Sequence, residues 1–453
     1  MTLHIPEGRA SLAEIRAIFS PRSVRESWLE IEASLAEAQA ELGIIPTEAA
    51  LEIRSKANFD TINEAELATD IERTRAPIVS LVRALSRTCS GDAGGYVHWG
   101  ATTQNVVQTG RVLLMRRAHH AFMLRFDDVL LALAEMAERE AETITVARTN
   151  QRQALPVTFG FKVAGWIEEW LRHRQRFIEA SPRIFCSQWG GAVGAMHAIG
   201  PLGPRLNERL SHRLNLTHAH VPSRAAQDGV AEYVALLGLF GATCAKLARN
   251  FYALMADEIE EVVEELGENV VGSSTMPHKI NSKIAVHVIA ISARLRSFVQ
   301  LAFEAMQPTY EGDAASSLMI APMIDEVCPL AYEMVDQMLA LLTVVRLRPE
   351  KMRRNLDMTS DYLASENVMM TLAPIIGRTQ AHDVVHHAIV RSSERGTSLA
   401  DSLFEHGALP ADISEHMIRD ALDPSKYIGL SVSMARDMAA LARRSVYGIH
   451  VTP

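Results

Sequence analysis

Apolar residues recur at steps of three or four positions along much of this chain, which is the pattern of helices with one buried face. The step is clear at Leu236, Phe240 and Leu247, inside a block without proline over residues 229–276. The pattern predicts a helix over 230–266, which would be roughly 55 Å long. A helix of this length needs other long helices to cover its apolar face.

The same pattern predicts several further helices. They cover 23–43, 110–147, 161–180, 282–306 and 330–345. With only 18 prolines and 25 glycines in 453 residues, and abundant good helix formers, the composition also favours helices. We therefore predict an all-α fold with a long central helical bundle (110–349) between smaller N-terminal (1–109) and C-terminal (350–453) helical domains. Because the apolar stripes outnumber the partners within one chain, we also expect a homo-oligomer.

Composition and charge narrow the classes of function. The net charge of −9 comes with interleaved basic and acidic residues, so we expect no nucleic-acid partner. The first residues do not resemble a secretory signal, the four cysteines are scattered, and no uniformly apolar membrane span stands out. We expect a cytoplasmic protein without a membrane contact. Neither a metal-ligand spacing nor a phosphate-binding glycine loop is evident, so no metal and no cofactor is expected.

The segment 272–281, Gly-Ser-Ser-Thr-Met-Pro-His-Lys-Ile-Asn, carries the strongest chemical signal. It is a small polar loop between two predicted helices, with the adjacent hydroxyls of Ser273 and Ser274 followed by Lys279 and Asn281. Hydroxyls, an amide and a lysine together suit an anion site with a candidate base. Each residue alone would fit an ordinary helix cap or a solvated side chain.

This string resembles the signature loop of the fumarase/aspartase superfamily, whose members reversibly eliminate a group from a succinyl skeleton, usually leaving fumarate. The resemblance implies that Ser273 is the proton-abstracting base and that Lys279 and Asn281 bind the carboxylate that becomes electron-rich. It also places Ser274 and Met276 at the substrate, a small dicarboxylate. It further implies a homotetramer whose active sites are shared between subunits.

A second segment, 98–105, opens the predicted helix that follows it. A helix N-terminus with hydroxyl neighbours suits a carboxylate, so we predict that Thr102, Thr103 and Gln104 bind substrate. The segment resembles the family's His-x-Gly-x-Thr-Ser stretch, with Thr103 where serine is common and Asn105 where aspartate is common. His98 is included as a weaker candidate, and the alternative for the threonines is a simple helix cap.

The third segment, 148–160, resembles the family's Arg-Thr-His stretch and adds Thr149 and Asn150 to the predicted substrate site. Asn150 stands where many members have a histidine. An amide does not deliver a proton near neutral pH. Either another residue supplies the proton or the leaving group needs none.

Two departures from the family pattern concern the substrate. A Gln-Arg-Asp-Arg-like run appears here as Ala-Gln-Asp-Gly at 226–229, and a His-Glu-Arg-Asp run appears as Tyr-Glu-Gly-Asp at 310–313. The arginines that would suit a phosphate or an extra carboxylate are therefore missing. This disfavours a nucleotide substrate.

Our leading hypothesis is a cofactor-free lyase that removes an amino-type group from an N-substituted aspartate or a related succinyl compound by anti elimination. Stretches 188–194, 352–357 and 422–429 resemble the 3-carboxy-cis,cis-muconate cycloisomerase subgroup. That reaction, lactone formation and opening through the same carbanion chemistry, is the alternative. A structural protein that keeps the fold without turnover is the alternative from another class.

Overall fold

The structure is a computed structural model of the whole chain. It describes residues 9–267, 270, 273, 275–276, 278–405, 409 and 412–448, with the backbone alone at 360.

Helices dominate the described residues. In chain order they are α1 (Leu12–Ala17), α2 (Pro21–Glu41), α3 (Thr47–Lys56), α4 (Glu64–Thr74), α5 (Pro77–Thr88), α6 (Thr103–Arg139), α7 (Phe159–Ile184), α8 (Gly203–Arg213), α9 (Asp228–Leu254), α10 (Ile284–Ala305), α11 (Ala314–Val344), α12 (Pro349–Asp357), α13 (Ser360–Leu363), α14 (Ser365–Ile376), α15 (Arg378–Arg395), α16 (Leu399–Phe404), α17 (Glu415–Ala421) and α18 (Ser431–Tyr447).

Short strands form three pairs. They are β1 (Ile144–Thr149) with β2 (Arg152–Thr158), antiparallel, β3 (Cys186–Ser187) with β4 (Thr217–His218), parallel, and β5 (Val262–Glu264) with β6 (Val345–Leu347), antiparallel. Single turns of 3-10 helix lie at Phe59–Thr61, Ala93–Tyr96, Gly200–Leu202 and Pro424–Lys426.

The five longest helices form a closed ring. Going around it, α6 packs on α7, α7 on α9, α9 on α10, α10 on α11, and α11 again on α6. Their facing apolar stripes supply most of the main hydrophobic core. This confirms the predicted all-α fold with a long central bundle.

Aromatic side chains fill the middle of the ring. Phe126, Trp170 and Phe240 come from three different helices, and the Trp170 and Phe240 ring centroids are 4.7 Å apart in an edge-to-face arrangement. Phe122 and Phe177 extend the cluster. Such contacts add specific geometry to the burial of apolar area.

Two smaller cores flank the ring. The N-terminal one joins α2 to α5, and the C-terminal one joins α14 to α17. The last helix, α18, leaves the C-terminal core and packs on α6 and α7, where Ala439 and Ala442 belong to the main core. The final helix thus fastens the C-terminal region to the bundle.

The predicted helix over 230–266 is wrong in its second half, because α9 ends at Leu254 and β5 follows. Acidic residues crowd this end, and negative charge is unfavourable at a helix C-terminus. The β-branched Val262 and Val263 instead pair with β6. The block 110–147 is corrected in the same way, since α6 ends at Arg139 and β1 begins at Ile144.

The predicted helix over 330–345 is much longer in the structure. As α11 it begins at Ala314 and contains Pro322 and Pro329. Proline inside a helix costs a hydrogen bond, but burial of α11 between its neighbours outweighs this local preference. The other predicted helices are confirmed, with ends shifted by a few residues.

Three helices, α9, α10 and α11, have the length and the apolar composition of membrane-spanning segments. In the most apolar 18-residue stretch of α9 and of α11, 67% of the residues are buried inside the chain, against 28% for α10. A smaller share of α10 than of α9 or α11 is therefore buried within a single chain.

His119 lies inside the aromatic core, against Phe122, Phe177, Phe185 and Tyr233. Burial lowers the pKa of His119 to about 3, because the imidazolium would lose its hydration there. Its Nδ1 atom is buried without a hydrogen-bond partner in the described structure. The folded protein therefore holds His119 neutral.

This predicts an acid sensitivity that His119→Phe should weaken. Between about pH 6 and pH 4 the unfolded chain binds a proton at His119 that the folded chain does not, so stability falls as the pH falls. The variant should reduce the slope of the unfolding free energy by about 1.4 kcal/mol per pH unit in this window. Urea titrations at a series of pH values measure the slope. His382→Gln, at an exposed histidine, is the control, and an unchanged slope for His119→Phe would contradict the assignment.

Candidate active site

Ser273 lies in a small cradle of backbone amides. Its Oγ accepts hydrogen bonds from the N–H groups of Thr275, at 3.4 Å, and of Met276, at 3.1 Å. Donors aimed at one oxygen stabilise negative charge on it, as an alkoxide requires. The geometry therefore suits the predicted role of Ser273 as a base.

A buried carboxylate anchors the far end of this loop. Glu264, 4% exposed on β5, accepts hydrogen bonds from the backbone N–H groups of Lys283 at 2.7 Å, Ile284 at 3.2 Å and Ala285 at 2.9 Å. It also accepts from the Ser282 hydroxyl at 2.6 Å. These amides belong to the start of α10 and lack partners within the helix, so Glu264 acts as a cap supplied from another element.

The other predicted residues of the loop lie at its surface. Met276, Lys279 and Asn281 are exposed, and the Lys279 N–H donates to the Met276 carbonyl at 2.9 Å. Ser274 lies outside the described residues. In a single chain, the side chains of these described loop residues are therefore exposed to solvent.

Thr149 and Asn150 lie at the exposed tip of the β1–β2 hairpin. Asn150 and Gln151 form the two-residue turn with φ values of 50° and 63°, the left-handed pair that such turns require. Arg148 binds Glu261 at 2.5 and 3.1 Å and so ties the hairpin to the chain just before β5. The hairpin and the Ser273 loop thus lie at the same end of the bundle.

The predicted residues 102–104 lie at the opposite end, where α6 begins. The buried side chain of Asn105 accepts from the N–H groups of Thr102 and Gly191, each at 3.2 Å. Its amide donates to the carbonyls of Gln188 at 3.0 Å and Gly191 at 3.1 Å. A carboxylate could not make the last two bonds, so asparagine here locks the loop 188–194 against the start of α6.

His98 precedes this helix start and is held from α2. Its Nδ1 is 2.6 Å from Oε1 of Glu32, whose side chain is 2% exposed. Gln39, also buried on α2, donates to the Trp99 carbonyl at 2.6 Å. Two buried polar side chains therefore fix the segment that leads into Thr102.

A cavity of about 210 Å³ opens beside this end of α6. Gln104 lines it and donates to the Ser317 hydroxyl of α11 at 3.1 Å. Gln108 and Arg111 line it as well. Sequence reasoning missed these last two, although they follow Gln104 at helical spacing on one face and could have been found from it.

The two groups of predicted residues do not meet within one chain. Asp228, the first residue of α9, lines the cavity, and α9 then runs for 27 residues. This length is roughly 40 Å, and β5 with Glu264 comes only after it. Thr102, Thr103, Gln104 and His98 therefore lie at one end of the bundle, and the Ser273 loop and the hairpin at the other.

Among the described residues, no group of three or more histidine, cysteine or acidic side chains is arranged to hold a metal ion.

Comparisons with known proteins agree over nearly the whole chain. The profile of a family described as "Lyase" matches residues 9–295, and one described as "Adenylosuccinate lyase C-terminus" matches residues 361–438. An N-acetyl-S-(2-succino)cysteine lyase of Dickeya dadantii is 32% identical, over 92% of this chain and 91% of that protein. An adenylosuccinate lyase of Methanothermobacter thermautotrophicus is 34% identical, over 95% and 96%.

Among solved structures, the 3-carboxy-cis,cis-muconate lactonizing enzyme of Pseudomonas putida is similar, with a TM-score of 0.83 and 30% identity. The match covers 95% of this chain and 97% of that one.

Replacing Glu264 should loosen the candidate loop. Glu264→Gln removes the charge that the amides of residues 283–285 share, and a buried amide cannot accept all of these bonds. We expect a loss of about 1–3 kcal/mol in unfolding free energy and faster hydrogen exchange at the start of α10. The neighbouring Glu265→Gln is the matched control, since the Glu265 side chain is exposed and pairs with Arg346 instead of with backbone amides of α10. Equal exchange in both variants would refute the anchoring role.

Proposed function

Because the chain belongs to the fumarase/aspartase superfamily of lyases, we propose that it eliminates a group from a succinyl-type compound and releases fumarate. The leading substrate class is an N-substituted aspartate, with an amino-type leaving group. The observation that carries the proposal is the pair of backbone N–H groups directed at the Ser273 hydroxyl oxygen.

In the proposed reaction, the Ser273 alkoxide takes a proton from the carbon next to a carboxylate. The electron pair left behind spreads into that carboxylate, and Lys279 and Asn281 stabilise the resulting dianion. The pair then forms the double bond of fumarate while the bond to the leaving group breaks, and the electrons of that bond stay with the leaving group. An amino-type group also takes up a proton, for which water is the source. A serine is a poor base unless its alkoxide is stabilised, which the amides of Thr275 and Met276 are placed to do.

The amide side chain of Asn150 affects which leaving groups the proposed reaction can release. An amine must be protonated to depart, and an amide side chain does not supply that proton. A thiol, with an ordinary pKa of about 8.5, can leave as a thiolate without it. One relative carries a succinylated cysteine in its name. Substrate tests should therefore include S-succinyl as well as N-succinyl compounds.

We further propose a homotetramer with shared active sites. The two halves of the site lie at opposite ends of each chain, so only different chains can bring them together. The outer face of α10 supports this, because Val286, Ala290 and Ala293 are exposed there. Small residues in such a stripe let a helix of another subunit approach closely. We place the protein in the cytoplasm, since all four cysteines are free thiols.

The second candidate is 3-carboxy-cis,cis-muconate cycloisomerase activity, which the likeness to the lactonizing enzyme favours. It would use the same base and carbanion. Loss of muconate absorbance with the carboxylated muconate would establish it. A structural protein without turnover is disfavoured by the amide cradle around Ser273.

Ser273→Ala should abolish the base. With a panel of N-succinyl and S-succinyl compounds, the wild type should produce the ultraviolet absorbance of fumarate, which the saturated substrates lack. The variant should lose roughly 10²–10⁴-fold in kcat/KM. Ser55→Ala, at an exposed serine of α3, is the control. Unchanged turnover in Ser273→Ala would rule out this base.

Mixing two inactive variants tests the shared site. Ser273→Ala and Thr103→Val/Gln104→Leu each damage one half, and we expect little turnover from either alone. When they are unfolded and refolded together in equal amounts, about a quarter of the sites should combine two intact halves from different chains. Activity should return to about that fraction of the wild type. Failure of a correctly assembled tetramer to regain activity would show that one chain supplies both halves.

A further inference from the structure

Arg224 is distinguished from the other arginines near the cavity by its lack of a carboxylate partner among the described residues. Arg111 pairs with Asp325, and Arg183 pairs with Glu232 at 2.5 and 3.1 Å. The charges of the two arginines that line the cavity are therefore neutralised. Arg224 follows the lining residue Ser223 in the chain, and its charge has no such partner among the described residues.

The backbone of Arg224 is held by two residues that line the cavity. Its carbonyl accepts from the side-chain amides of Gln108 at 2.8 Å and Gln227 at 3.0 Å, and both of these residues line the cavity. These two hydrogen bonds fix the backbone of Arg224 and do not involve its guanidinium group.

The guanidinium makes little use of its five donors. Nη1 donates to the Ala192 carbonyl at a long 3.4 Å, and Nε is buried without an acceptor in the described part of the chain. A cation that is partly buried and poorly hydrogen-bonded is costly unless an anion joins it. This arrangement points to a ligand with an oxyanion.

Gly312 makes the room for this side chain. It lies in the turn before α11 with a φ of +126°, and a Cβ built there would be 3.1 Å from the Arg224 Nε and 3.5 Å from its Cγ. Any side chain at 312 would therefore press on Arg224.

Arg224 also adjoins the start of α6. The Ala192 carbonyl accepts the hydrogen bond from Nη1 of Arg224. The preceding residue, Gly191, donates its N–H to Asn105, whose side chain also accepts from the Thr102 N–H at the start of α6. The guanidinium and the α6 N-terminus thus flank the same loop. A carboxylate at this point would meet a fixed cation and a helix N-terminus.

We propose that Arg224 binds a carboxylate of the substrate, in a place that Gly312 keeps open for its side chain. One uncompensated positive charge matches a carboxylate better than a phosphate, which carries about two negative charges. The inference rests on the proposed function for the identity of the substrate as a succinyl compound. In this proposal, Arg224 binds one carboxylate of the substrate at this end of the bundle, and Ser273 of another chain removes the proton.

Direct binding tests this without turnover. Isothermal titration of the full chain with fumarate at low ionic strength should give a Kd that Arg224→Gln raises roughly tenfold to hundredfold. Arg224→Lys should lie between the two, because lysine keeps the charge but loses the planar fork. Gly312→Ala should also weaken binding by displacing Arg224. Inorganic phosphate, titrated in parallel, should bind more weakly than fumarate.

Arg116→Gln is the matched control, because Arg116 also contacts only a backbone carbonyl, that of Leu214 at 3.5 Å, among the described residues. It should leave the Kd unchanged. Far-ultraviolet circular dichroism checks that each variant is folded, and Arg224→Lys keeps the test open if Arg224→Gln does not fold.

The outcomes separate this inference from the proposed function. Weaker fumarate binding in Arg224→Gln supports the inference even if no succinyl compound is turned over, a result that would refute only the proposed function. Serine-dependent release of fumarate with an unchanged KM in Arg224→Gln would overturn the inference and leave the function standing. Tighter binding of phosphate than of fumarate, or no fumarate binding by the wild type, would also overturn it.

Discussion

The length of the helical ring is the constraint on which the rest of this protein depends. The five long helices bury their apolar stripes against each other, and that packing holds the loops at the two ends of the ring roughly 40 Å apart. Chemistry that needs the Ser273 loop and the start of α6 together must therefore join different chains. Association of chains through the exposed apolar residues of α10 would bury apolar surface and so be favourable.

At both ends of the ring, buried polar side chains from other elements form hydrogen bonds that fix the loops in place. Glu264 satisfies amides at the start of α10, and Asn105 and Glu32 do the same for the segments around Thr102 and His98. Leaving a buried donor or acceptor unpaired costs more than a made bond gains, so these contacts fix geometry strongly. If an active site is formed by two subunits, such rigidity is useful, because the residues from each subunit must hold the correct geometry before the subunits associate.

The charges around the cavity bear on which ligand this end of the bundle could bind. Arg111 and Arg183 are neutralised by carboxylates, the arginines expected at 226–229 and 310–313 are absent, and Arg224 extends over Gly312. These surroundings are the basis for the proposed preference for a carboxylate over a nucleotide phosphate.

The sequence alone determined the fold class and most helices, and it predicted the segments that are proposed to carry the chemistry. Periodicity reports which face of a helix is buried, and a ten-residue string such as 272–281 is too specific to arise from helix capping alone. Tertiary structure decided where α9 stops, which prolines α11 tolerates, and which residues meet. Arg224 with Gly312, Glu264 with the start of α10, and Glu32 with His98 are pairs distant in the chain. A local pattern records that a side chain is buried but not against what, and only the packed helices supply the partner.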